Sequence, residues 1–174
     1  MKRAELEEQI KLTENKILEE QEKLKELREH LKIVIEQEKE RKHYISSKEI
    51  IDLIYKNTGK KINMSTVKRW ADEGYLGEVI DEKDKFWALR SKQGKKRFLY
   101  PKINTHSFLY EKGYLHPEYE VLDRVVVKQP GQEKFTGIVV DSILEKDQFQ
   151  YTIQTEETFE AIPNIKEEYL TKLE

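Results

Sequence analysis

Residues 1–42 contain neither proline nor glycine and are dense in Glu and Lys, which leaves one long helix as the structure this segment fits. Ile10, Ile17, Leu24 and Leu31 recur every seven residues, and Leu6, Leu27 and Val34 fill the partner position of the same heptad. Thr13 and Glu20 interrupt the second series. A stripe this narrow, flanked by charge, is a coiled-coil seam. It predicts a homodimer held by Leu6, Ile10, Ile17, Leu24, Leu27, Leu31 and Val34. Parallel and antiparallel pairing both fit the pattern. A single helix laying its stripe on its own chain is the competing arrangement.

The 174 residues suffice for one medium domain or several small modules, and a chain that is 38% charged and 37% hydrophobic favours small cores joined by solvated segments. Cysteine is absent, which removes disulfides and thiolate metal sites and permits a reducing compartment. No apolar run reaches the roughly 20 residues that span a bilayer, and the N-terminus lacks a signal-peptide core. The expectation is a soluble cytoplasmic protein with no membrane contact. The net charge of −2 hides an asymmetry. Residues 1–42 carry 11 basic and 12 acidic residues, 43–115 carry 15 and 9, and 116–174 carry 6 and 13. A basic middle between neutral and acidic ends points to a local contact with a polyanion.

The middle segment, 43–115, changes texture. In "SSKEIIDLIYKNTGK", Ser46 stands three residues before Glu49, the spacing of a capping box. Ile50, Ile51, Leu53 and Ile54 give an apolar face, and Gly59 a stop. A second short helix follows in "NMSTVKRWADEGYLG", with Ser65 expected as its cap, Val67 and Trp70 on its inner side and Gly74 as its stop. Two short helices joined by a tight turn form a helix-turn-helix. In "KFWALRSKQGKKRFLYP", Phe86–Leu89 and Arg97–Tyr100 read as the strands of a hairpin with a basic tip. "KINTHSFLYEKGYL" allows a further helix ending near Gly113.

Residues 116–174 read as all-β, with "YEVLDRVVVK", "FTGIVVDSIL" and "FQYTIQT" as strands, "QPGQ" and "EKDQ" as turns between them, and "EAIPNIKEEYLTKL" closing the unit with a turn and a last short strand or helical turn. Four or five short strands predict a small SH3-like barrel. Its acidic charge disfavours direct contact with DNA and favours a protein partner, with Phe135, Phe149, Tyr151 and Phe159 as aromatics that either meet that partner or fill the core. The fold class expected is α+β in three modules: a coiled-coil helix at 1–42, a winged helix-turn-helix at 43–115, and a β-module at 116–174.

The stretch "YISSKEIIDLIYKNTGKKINMSTVKRWADEGYLG" with "GKKRFLYPK" resembles the winged helix-turn-helix of the MerR and excisionase families. The resemblance covers roughly residues 44–112. It implies double-stranded DNA as partner, a recognition helix in the major groove and a basic wing beside it. Two departures stand out: the acidic "GEVIDEKDK" between second helix and wing, and a coiled coil placed before the DNA-binding unit.

A helix fits the major groove, where residues near its N-terminus meet base edges. Arg69 can donate two hydrogen bonds to a guanine edge, with Ser65, Thr66 and Lys68 on base edges or phosphate. In the wing, Arg90, Lys92, Lys95, Lys96 and Arg97 would bind phosphates or enter the minor groove. The bland alternative is that these cations only solvate a small domain. Trp70 reads as a core anchor.

Other chemistry finds little footing. His30, His43, His106 and His116 show no metal-ligand spacing. "DEKD" at 81–84 lacks the pattern of a calcium loop and reads as a solvated turn. P-loop, dinucleotide and nucleophile-elbow motifs are absent, so no enzyme and no cofactor is expected. The expectation is a dimeric bacterial or phage transcriptional regulator, nucleoid-associated. An architectural or segregation protein, and an adaptor or inhibitor whose winged helix binds protein, are the other two classes.

Overall fold

The computed structural model describes residues 2–89 and 96–174. Its contacts divide the chain into two compact units: Met1–Lys42 with Glu82–Lys96, and His43–Asp81 with Arg97–Glu174. The architecture is mixed α and β, with one long helix and two antiparallel sheets.

The first unit is built on α1, Arg3–Arg41, a helix of 39 residues in which no side chain is buried. At 1.5 Å per residue it is about 58 Å long. Leu6, Ile10, Ile17, Leu24, Leu27 and Leu31 are exposed along it, and Val34 is half-buried. Thr13 returns its hydroxyl to the helix, donating to the Gln9 carbonyl at 2.8 Å. Near the C-terminal end of α1 lies a short segment made of one helical turn, Glu82–Lys85, and a 3-10 turn, Trp87–Leu89. Arg41 Nε stands 3.4 Å from Glu82 Oε1, Lys85 pairs with Glu40 at 3.0 Å, and the Ala88 amide donates to Gln37 Oε1 at 2.9 Å.

Residues 81–84 are not a solvated turn, because Glu82 is buried against Arg41. Phe86–Leu89 is not a strand, because Phe86 is buried and the residues after it coil into the 3-10 turn.

The second unit contains everything else. Strand β1 (Tyr44–Ser46) leads into α2 (Ser47–Thr58), whose N-cap is Ser46: its Oγ accepts from the Glu49 amide at 3.3 Å. Gly59 ends α2 at φ 71°, a left-handed conformation that costs a side-chain-free residue least. Helix α3 (Met64–Asp72) follows, and Gly74, at φ 84°, turns the chain so that the Tyr75 amide bonds back to the Trp70 carbonyl. Strand β2 (Ile80–Asp81) and strand β3 (Phe98–Pro101) complete a three-stranded sheet in the order β1-β3-β2. The 97–100 run therefore forms a strand as expected, but its partners are β1 and β2 and not Phe86–Leu89. Helix α4 (Lys102–Glu111) closes this part.

The five-stranded sheet follows. Its strands are β4 (Arg124–Val127), β5 (Phe135–Glu145), β6 (Gln148–Thr155), β7 (Ala161–Lys166) and β8 (Leu170–Lys172). They lie in the order β7-β6-β5-β4-β8, all antiparallel, with a 3-10 turn at Glu167–Tyr169 before the last strand. Alternation sends Val125, Val127, Val139, Tyr151 and Ile153 inward. These residues belong to the same buried cluster as Ile50, Ile54, Val67, Trp70 and Phe108. Phe149 and Tyr151 are thus core residues, Phe135 is half-buried, and Phe159 is exposed.

Candidate nucleic-acid interface

Helix α3 is positioned by its inner face. Val67 and Trp70, three residues apart, are buried, and Trp70 meets Phe108 edge-on at 5.2 Å and Tyr114 at 5.6 Å. Ile54 lies buried in the same cluster and Ile51 packs on it, so α2 provides the seat expected for α3. This fixes the opposite face outward. Ser65, Lys68 and Arg69 are exposed and Thr66 is half-buried. Neither Lys68 nor Arg69 has an ion-pair partner among the described residues.

The cap of α3 differs from expectation. Asn63, not Ser65, holds the N-cap position, in extended conformation, and Ser65 lies inside the first turn. The Asn63 carbonyl takes the amides of Thr66 and Val67, and the first turn carries no acidic residue. The N-terminus of α3 therefore presents amide donors that no acidic residue of its first turn neutralises, while Arg69 lies in its last turn.

Two further cations, Lys60 and Lys61, stand exposed in the α2–α3 connection, with Lys60 Nζ 6.0 Å from the centre of the Tyr114 ring. They lie outside the expected recognition helix and wing. Their signal was their place between the two helices, in "NTGKKIN".

Of the expected wing residues, Arg90, Lys92 and Lys95 lie outside the described residues. Lys96 and Arg97 are exposed, and an Arg97 guanidinium nitrogen sits 3.4 Å from Ser46 Oγ, at the cap of α2.

The second unit also contains a cleft of about 630 Å³ bordered by Leu53, Asn57, His106, His116, Asp147 and Phe149, among others. His106 Nδ1 is 2.8 Å from the Lys102 carbonyl. Its pKa is lowered, first because burial disfavours the imidazolium; the carbonyl works in the other direction. Glu167, which also borders the cleft, accepts the Tyr151 hydroxyl, which in turn receives the Tyr119 amide at 3.3 Å, while the Tyr119 hydroxyl bonds the Leu170 carbonyl at 2.8 Å. Among the described residues no group of three or more His, Asp or Glu side chains is placed to hold a metal ion. None of their helices is long and apolar enough to cross a membrane.

No protein-family profile, curated protein or solved structure matches this chain.

Proposed function

We propose that this chain is a sequence-specific DNA-binding protein, working as a dimer in the control of transcription in a bacterium or phage, and without catalytic activity. The observation that carries the reading is α3: its apolar side is locked in the core while Lys68 and Arg69 face solvent. A short helix held this way can enter a major groove and read base edges. The pair α2–α3 acts as a helix-turn-helix of the MerR and excisionase type, with Lys60, Lys61 and Arg97 on flanking phosphates. Lys96 and Arg97, the wing residues that the structure describes, lead into β3, which pairs with β1 and β2.

The acidic strands β4–β8 form a small SH3-like barrel. Their order, with the 3-10 turn before the last strand, supports that reading. Its partner is a protein: Phe159, 72% exposed between Glu157 and Glu160, is a large apolar group offered to solvent in an anionic loop.

The test is the double substitution Lys68→Ala, Arg69→Ala, with genomic fragments captured on both proteins and sequenced. The parent is expected to recover a site with two related halves. The variant, folded by circular dichroism, is expected to lose that preference and about 1–3 kcal/mol per base contact. Equal capture by a folded variant would refute the reading. Broad coating would indicate an architectural protein, and no DNA at low salt an adaptor.

A further inference from the structure

We propose that α1 pairs with α1 of a second copy in the antiparallel sense, in the register that sets Ile10 opposite the partner's Val34 and Ile17 opposite the partner's Leu27. The surface is on view: Leu6, Ile10, Ile17, Leu24, Leu27 and Leu31 are 46–58% exposed on a helix that buries no side chain. An apolar stripe of this length, broken only at Thr13 and Glu20, calls for a cover of matching length, and a second α1 offers one. What selects the direction is the charge beside and within the stripe.

Consider the parallel arrangement in register. Each seam residue then faces its own equivalent, so Glu20 meets the partner's Glu20 inside the seam. The flanking positions pair Lys23 with the partner's Arg28, and the two-fold axis makes this contact twice. One carboxylate layer and two cation pairs oppose association at the middle of the helix.

Turn the partner round, and these same residues become complementary. Glu20 packs on the partner's Leu24 with the partner's Lys23 beside it, and Glu14 faces the partner's Arg28. Each contact again occurs twice. Lys23 also approaches the partner's Lys23 across the axis, but a Glu20 carboxylate flanks each of them. Thr13 falls opposite the partner's Leu31, and its hydroxyl is already satisfied by the Gln9 carbonyl, so it offers its methyl group to the seam. The polar residues that weaken a parallel seam thus specify the antiparallel one.

This deepens the dimer part of the proposed function and is tested without DNA, so loss of pairing and loss of DNA binding are read separately. Arg28→Glu sets a carboxylate against the partner's Glu14 twice in the antiparallel pair, and the dimer dissociation constant measured by sedimentation should rise about tenfold. In a parallel pair the same change removes the clash with Lys23, and the constant should fall. The helix itself is not weakened, because the new carboxylate stands four residues before Lys32.

A second measurement uses the absence of cysteine. With Glu8→Cys carrying a spin label, the two labels of an antiparallel dimer lie about 42 Å apart along the axis. In a parallel dimer they lie within about 20 Å. A long distance with weaker pairing of Arg28→Glu supports the proposal; a short distance, tighter pairing or a monomer at all concentrations overturns it.

Discussion

At the scale of single residues, burial decides what a side chain can do, and the sequence announced some of this well. Trp70 was legible as an anchor because it stands three residues from Val67 and beside charged neighbours that cannot go inside. Ser46 was legible as a cap from its spacing to Glu49. Asn63 was not distinguished from Ser65, because both residue types cap helices well and only the local chain path chooses between them.

His106 was legible only as a residue without metal-ligand neighbours; its burial comes from contacts distant in sequence. The depressed pKa has a consequence with a definite sign. The folded state binds a proton less readily than the unfolded chain, whose histidine titrates near 6.5. Stability from this site is therefore complete above about pH 6.5 and is lost as pH falls below it. Urea unfolding between pH 5 and about 8 should show that slope in the parent and a flatter one in His106→Gln. The same slope in both would assign the acid sensitivity to other groups.

At the scale of elements, periodicity and punctuation served well where contacts are local. The helices α1, α2 and α4 and the strands β5 and β6 fall where spacing and turn residues put them, whereas the strand expected from Tyr119 begins only at Arg124, and 161–172 forms two strands, not one. The failures are long-range. Phe86–Leu89 has the aromatic texture of a strand, yet Gln37 takes the Ala88 amide and Arg41 draws in Glu82, both more than 40 residues away. Nothing in the local pattern encodes that docking. Gly137 is another such position. It sits mid-strand in β5, where a Cβ would come within 2.5 Å of the Gln154 carbonyl oxygen and of the Ile153 side chain. Gly137→Ala should therefore cost about 1–3 kcal/mol, since backbone of the neighbouring strand must yield. Chemical denaturation measures it, and an unchanged midpoint would mean that β6 shifts without resistance.

At the scale of the whole molecule, the charge asymmetry was the most informative thing in the sequence, because no fold can hide six more cations than acids in 43–115 or seven more acids in 116–174. What composition could not say is that Glu82–Lys96 groups with α1 while the rest of the middle shares one core with the acidic strands. The bare flank of α1 has a thermal consequence. The second unit owes its persistence to its own interior, so its melting should ignore how much protein is in the tube. A helix with nothing of its own buried owes its order to whatever covers it. Heating should accordingly give two steps in far-ultraviolet ellipticity. The helical step should move several degrees upward for each tenfold increase in protein, while the other stays put.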